Sequence, residues 1–435
     1  MAQIAAFPAL RYDPEKVRLA DVVTQPYDKI TPQMQESYYK ASPHNLVRII
    51  LGRPEGEETE RKNRYTDAAD CLKNWRKAGI FTQDSPSIYA YSQRFVVPGT
   101  SETVERRGFI AAGTLYDYAE KVVFRHEQTL AKPKSDRLNL LRATHAHFGQ
   151  IFMLYSDPAQ SIDSLLFEDG KHEWQEVRDE YKVVHRLRRI SDPSTLNIVK
   201  TEMADRKLII ADGHHRYETA LNFRNEAERT ASACLKDNAN RVMMTFVNMD
   251  SPGLTILPTH RLVFGLSNFD VSSFLKKARE LYEVRELGVI DKEKAGFLLA
   301  ESGKKAISFI AVTKLGGFLL AAKSGSEEQV SAEFSSRQRK LDVVNLHSLL
   351  LERTLGISRE QVTNQQHIRY LRGMKETLRA VESDAEVNVA FLMNPVSIEQ
   401  VREIAFAGEV LPQKSTDFYP KLLSGLVIYS LDNDC

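Results

Sequence analysis

Leu208-Ile209-Ile210-Ala211-Asp212-Gly213-His214-His215-Arg216-Tyr217-Glu218-Thr219 is the stretch on which this chain is read. Four apolar residues make a short buried strand, and Asp212-Gly213 breaks it. A helix then starts near His215 and runs through Tyr217 to Glu228. Backbone N–H groups at such a start attract anions, and the partial positive charge of the helix end adds to this. Arg216 offers a planar fork suited to phosphate or carboxylate. Asp212 suits a divalent ion or a proton-accepting role. The plainer alternative makes Asp212 a helix cap and Gly213 a turn residue. Four titratable side chains directly after an apolar strand favour a site.

Outward from this turn lie further polar strings. Arg125-His126-Glu127-Gln128-Thr129 and Lys132-Pro133-Lys134-Ser135-Asp136-Arg137 follow the apolar run Val122-Val123-Phe124. They supply cations for phosphates and a carboxylate for a metal or base, or else form a solvated basic loop. His145 and His147 are spaced to share one face of a strand. Pro258-Thr259-His260-Arg261 presents a further His-Arg edge, and Gln25-Pro26-Tyr27-Asp28 is a turn with an exposed acid and phenol. Near the end, Pro412-Gln413-Lys414-Ser415-Thr416 and Phe418-Tyr419-Pro420-Lys421 precede an apolar strand. Lys414-Ser415-Thr416 lacks the glycine-rich loop of a P-loop, and no GxGxxG, GxSxG or HExxH occurs.

The elements predicted around these strings are mixed. A charged helix lies within Glu57 to Gly79, and Ile88 to Val97 pairs as a hairpin with Val104 to Leu115. Residues 159–190 read as helix-rich and end in the basic string Arg186 to Arg189. Val242 to Met249 is a strand, Ile307 to Val312 and Phe318 to Ala322 form a hairpin, and Ile368 to Ala385 reads as one charged helix. Strands and helices alternate without clean βαβ units, so the fold class is α+β with a mixed sheet core. Three segments are expected: 1–115, 116–265 with the two polar motifs, and 266–435.

The chain has 435 residues, with 59 Lys+Arg against 58 Asp+Glu and a net charge of +1. That balance disfavours a protein that coats nucleic acid or an anionic membrane, while leaving room for a local basic pocket. Cys71, Cys234 and Cys435 lie far apart without CxxC, which is neither a disulfide framework nor a thiolate zinc site. The first residues lack a basic region followed by a long apolar core, so no signal peptide is expected. A reducing, cytoplasmic setting is the default.

Taken as an ordered set, the strings at 25–28, 125–129, 136–138, 211–219, 257–261 and 412–416 resemble an uncharacterised bacterial and archaeal family, domain of unknown function 1015. The strand–Asp-Gly-His-His-Arg–helix element is also similar to the Gly-x-His-Arg turn of the ParB/sulfiredoxin-like superfamily. That superfamily includes a free-serine kinase that uses ADP, nucleotide-hydrolysing partition proteins and sulfiredoxin. The second resemblance implies that Gly213, His214, His215 and Arg216 contact phosphates and that Asp212 serves in catalysis. Sulfiredoxin's catalytic cysteine has no counterpart beside this turn, and the helix-turn-helix of partition proteins is not evident.

The leading expectation is a nucleotide-dependent phosphotransferase (a small-molecule kinase) or phosphohydrolase. Its catalytic residues are Asp212, His215 and Glu127, with Asp212 and Glu127 as Mg²⁺ ligands. Gly213, His214, Arg216, Lys134, Arg137 and Lys414 bind phosphates of ATP or ADP. Tyr27, Asp28, His126, His260 and Arg261 bind the substrate. The partners are thus a nucleotide and a small molecule, without nucleic acid or membrane, and a homodimer is allowed. One alternative is a metal-dependent hydrolase with His126, Glu127, Asp212, His214 and His260 as ligands. Another is a nucleotide-binding regulatory protein without catalysis.

Overall fold

The computed structural model describes residues 2–54, 57–59, 61–127, 132–168 and 173–432, with the backbone alone at 132–134. The chain divides into two compact units: Met1–Arg125 with Thr129–Leu254 and Pro420–Cys435, and His126–Gln128 with Thr255–Tyr419. The expected boundary at residue 116 falls inside the first unit.

The first unit is built on nine strands. They are β1 (Ile4–Ala5), β2 (Ile88–Val96), β3 (Thr103–Thr114), β4 (Val123–Arg125), β5 (Ile151–Tyr155), β6 (Gln175–Arg178), β7 (Val184–Ile190), β8 (Leu208–Asp212) and β9 (Arg241–Asn248). Their order is β4-β8-β5-β9-β3-β2-β7-β6, with β1 beside β3. β8 runs parallel to β4 and β9 parallel to β5. The other neighbours are antiparallel, including β2 and β3, where Tyr91 faces Gly108. The sheet is therefore mixed and the architecture α+β, as expected.

Leu208, Ile209, Ile210 and Ala211 are all buried, the pattern of a strand covered on both faces. Burying each large apolar side chain contributes about 1.5–3 kcal/mol. The pairing of β8 with β5 slips between Ile210 and Asp212. Such a bulge breaks the two-residue alternation and re-aims the side chain that follows it.

The four longest helices of the first unit are α1 (Arg64–Lys77), α2 (Lys132–Thr144), α3 (Pro193–Ala204) and α4 (His214–Thr230). α1 starts at a reciprocal Asn63/Thr66 cap and buries Ala68, Leu72 and Trp75. α2 packs on α4, and Arg142 of α2 meets Glu226 of α4 at 2.6 Å.

The second unit carries a six-stranded antiparallel sheet. Its strands are β10 (His260–Phe264), β11 (Tyr282–Gly288), β12 (Ser308–Thr313), β13 (Gly316–Ala322), β14 (Ile368–Leu371) and β15 (Val387–Met393), in the order β11-β13-β12-β15-β10-β14. Helices α5 (Lys292–Gly303) and α6 (Met374–Ser383) pack against it.

Two expectations are corrected here. Residues 159–190 are not helix-rich: among the described residues only Ser161–Leu166 is helical, and the basic string lies on β7. Ile368 to Ala385 is not one helix, because a strand and a break at Arg372-Gly373 precede α6. Among the described residues no helix is long and apolar enough to cross a membrane. Cys71 is a free, half-buried thiol, whereas Cys234 is disulfide-bonded, so the sparse cysteines do not all stay unpaired.

Candidate functional site

In the first unit β8 hands over to α4 at Gly213, which has φ +94 and ψ 24. The left-handed conformation suits glycine. The helix opens without a side-chain cap. Its 17 residues align a macrodipole whose positive end lies at this turn.

Two cations converge on Asp212, one on each oxygen. Lys421 Nζ reaches Oδ1 at 3.1 Å, and Arg216 Nη2 reaches Oδ2 at 2.8 Å. Burial alone would raise this carboxyl. The charges of Lys421, Arg216 and Lys29 outweigh it and hold Asp212 well below the usual carboxylate range. A carboxylate so held does not accept a proton near neutral pH. It acts as a fixed anion, and a metal ion would have to displace one of the two cations to ligate it.

Arg216 also donates through Nη1 to the carbonyl of Gln150. Beside it lies a cavity of about 70 Å³ lined by Tyr27, Arg137, His147, Gly149, Arg216 and Ser424. Arg137 is committed to its surroundings. It binds Asp136 at 2.5 Å and the Ile50 carbonyl at 2.8 Å, and its guanidinium covers the Tyr27 ring at 4.2 Å. Tyr27 is raised by burial. Asp28 is exposed and lies 3.6 Å from Lys29. His214 is buried, and His215 is half-buried on the same first turn. The Lys134 side chain lies outside the described residues.

The remaining expected residues belong to the second unit. His126 is buried, and its Nε2 is 2.7 Å from Thr416 Oγ1. Glu127 accepts the backbone N–H of Lys414, whose own side chain is exposed. His260 and Arg261 form no exposed edge. His260 Nδ1 accepts the N–H of Met393 at 3.3 Å. Burial, and then the charge of Arg261, lower its pKa to about 4. Arg261 is fully buried and donates to the carbonyls of Thr259 and Lys414, the latter at 3.1 Å. Among the described residues no group of three or more His, Cys, Asp or Glu could hold a metal ion.

Sequence reasoning placed Lys421 only at the margin and missed Gln150 and Ser424. It also missed a buried relay: Tyr91 Oη meets His185 Nδ1 at 2.7 Å, His185 Nε2 meets Asp179 at 3.2 Å, and Gln25 donates to Asp179 at 3.0 Å. Gln93, two residues beyond Tyr91 and on the same face of β2, donates to the Lys421 carbonyl at 2.9 Å. The signal available was the charged and polar content of two strands, β2 and β7, which core strands seldom carry.

Several solved structures resemble this chain weakly. A free serine kinase in complex with AMP is 16% identical over 73% of this chain and 92% of that chain, with a TM-score of 0.34. A conserved hypothetical protein from Pyrococcus furiosus is 16% identical over 72% and 93%, at 0.32. SbnI with C-terminal truncation from Staphylococcus aureus is 10% identical over 75% and 90%, at 0.33. Backbone agreement of this order is too low to carry a residue from them onto this chain. No curated protein matches the sequence. The family described as "Protein of unknown function (DUF1015)" matches residues 4–344, and the chain belongs to it.

Proposed function

We propose that the first unit binds a phosphate group of a nucleotide at the Asp212–Arg216 turn and transfers a phosphoryl group to or from a small molecule. The observation that carries this reading is the uncapped start of α4, with Arg216 and Lys421 fixed beside it by the Asp212 carboxylate. A helix start and two cations suit charge stabilisation and positioning, which are most of what phosphoryl transfer asks of a protein.

The adjoining cavity of about 70 Å³ is far below the 300–1,000 Å³ of pockets that enclose whole ligands. It suits a phosphate group, with the nucleoside outside it. Asp212 would keep the two cations in place. His215 is the proposed proton acceptor on the same turn, and Tyr27 the proposed contact from the cavity lining. A bound nucleotide would supply the transferable group, and Mg²⁺ would be held chiefly by its phosphates.

The family's description names no ligand, and the nucleotide in the free serine kinase structures belongs to those proteins. The metal-dependent hydrolase reading has no comparable support among the described residues.

The test is thermal unfolding of the whole protein with ADP or ATP, with and without Mg²⁺, followed by ³¹P NMR. A ligand at about 100 times its Kd adds roughly 2.7 kcal/mol of stability, which raises Tm measurably. The expectation is a nucleotide-dependent rise in Tm that Arg216→Ala removes, and nucleotide consumption when a hydroxylated substrate is supplied. An undiminished rise in Arg216→Ala would refute the site. Binding without consumption across a substrate panel would leave a regulatory nucleotide-binding protein.

A further inference from the structure

The second unit holds a hollow of about 400 Å³, within the size range of small-molecule pockets. Its wall is largely apolar, with Phe334, Val344, Val362 and Leu411, and it carries Tyr370 and His347. At the mouth Glu333 and Arg359 are paired to each other, and Arg359 also meets Glu352 at 3.2 Å. The mouth guanidinium is thus already compensated.

Behind the wall the charge is not compensated. The guanidinium of Arg261 lies 5.2 Å from the centre of the Tyr370 ring. It is completely buried and makes no ion pair among the described residues, and its Nε has no hydrogen-bond partner. Burial pushes its pKa down to about 10, the response of a cation short of compensating charge. Its field reaches two wall residues. It depresses His347 after burial has done so, and at Tyr370 it outweighs the opposing influence of Glu127. An apolar hollow with one positive wall favours an anion whose charge is single and whose body is greasy. A phosphate dianion carries a second charge, and the one other guanidinium in the lining, Arg359, is already paired with Glu333 and Glu352.

We propose that this hollow binds a small monocarboxylate with an aromatic or aliphatic body, its carboxylate toward the Tyr370–His347 wall backed by Arg261 and its body against Phe334 and Val344. The proposal concerns the second unit alone and does not rest on the nucleotide reading.

Isothermal titration of the full chain with phenylacetate, phenylacetamide and phenyl phosphate tests it. Phenylacetate should bind about tenfold more tightly than either of the others, a difference of about 1.4 kcal/mol. Gln413→Trp, which places bulk in the half-exposed part of the lining, should remove phenylacetate binding while leaving Tm intact. Arg261→Met should bring the acid and the amide to equal affinity. If that variant does not fold, the acid-to-amide ratio of the parent protein decides. Equal affinities in the parent protein, preference for the amide or the phosphate, failure of phenylacetate to bind, or binding that survives Gln413→Trp in a folded protein each overturn the proposal.

Discussion

Gly213 meets two constraints at one Cα. Its φ of +94 lies where an L side chain is strained, and a Cβ built there would stand 3.0–3.1 Å from the guanidinium of Arg216. That guanidinium is the far end of a flexible side chain, so it can move. Moving it loosens the contacts to Asp212 and to the Gln150 carbonyl that fix it. Gly213→Ala is therefore expected to cost about 1–2 kcal/mol of stability from the backbone alone. It should weaken anion binding beyond that. Gly99 is the control, because it has φ +87 and nothing within 4 Å of the added Cβ. Gly99→Ala should lose similar stability and keep full nucleotide binding. Urea midpoints and nucleotide-induced Tm shifts of the two variants check this, and equal nucleotide shifts would contradict it.

At the scale of an element, β10 is held to β15 through a histidine that must stay neutral. His260 Nδ1 accepts the Met393 N–H, and a protonated ring nitrogen cannot accept. With a folded pKa of about 4 against about 6.5 unfolded, the stability from neutral His260 is complete above pH 6.5. It is lost as pH falls through about 4. Between pH 7 and pH 5 the expected loss from this one residue is about 2 kcal/mol. His260→Gln keeps an acceptor and cannot titrate, so its urea stability should fall less over that interval than the parent's. Parallel falls in both proteins would exclude the effect. The same element shows what local sequence could and could not reveal. His260-Arg261 after an apolar pair looked like a presented edge, because burial of a polar strand depends on which strands flank it. β8 and α4 were legible because apolar run, breaker and helix are contiguous. β7 was not, although Leu187 between Arg186 and Arg188 carries the period of two, since basic density overrode the alternation. Asp212 and Arg216 were legible as neighbours in one turn, but with separate roles and not as the ion pair they form. Lys421 is 209 positions from Asp212, and no local periodicity encodes which distant segment returns.

For the whole molecule, that return is what defines the first unit. The chain leaves it at Leu254 and re-enters at Pro420. The re-entering segment is stitched in along its length. The Pro420 carbonyl accepts from Arg106, Lys421 binds Asp212, Ser424 pairs with Thr24, Ile428 with Leu10, and Tyr429–Ser430 with Ala146–His147. Leu422, Leu423, Leu426, Val427, Ile428, Tyr429 and Leu431 are all buried. At about 1.5–3 kcal/mol for each fully buried side chain, their loss matches or exceeds the 5–15 kcal/mol by which domains are stable. Truncation after Tyr419 is therefore expected to unfold the first unit, although the deleted residues follow the second unit in sequence. Hydrogen exchange distinguishes the outcomes. Amides of 241–248, at the centre of the first sheet, should lose protection, while those of 387–393 in the second sheet should keep it. Retained protection at 241–248 would show that the first core stands without its returning segment, and Lys421 would then be a substituent of the site and not part of its frame.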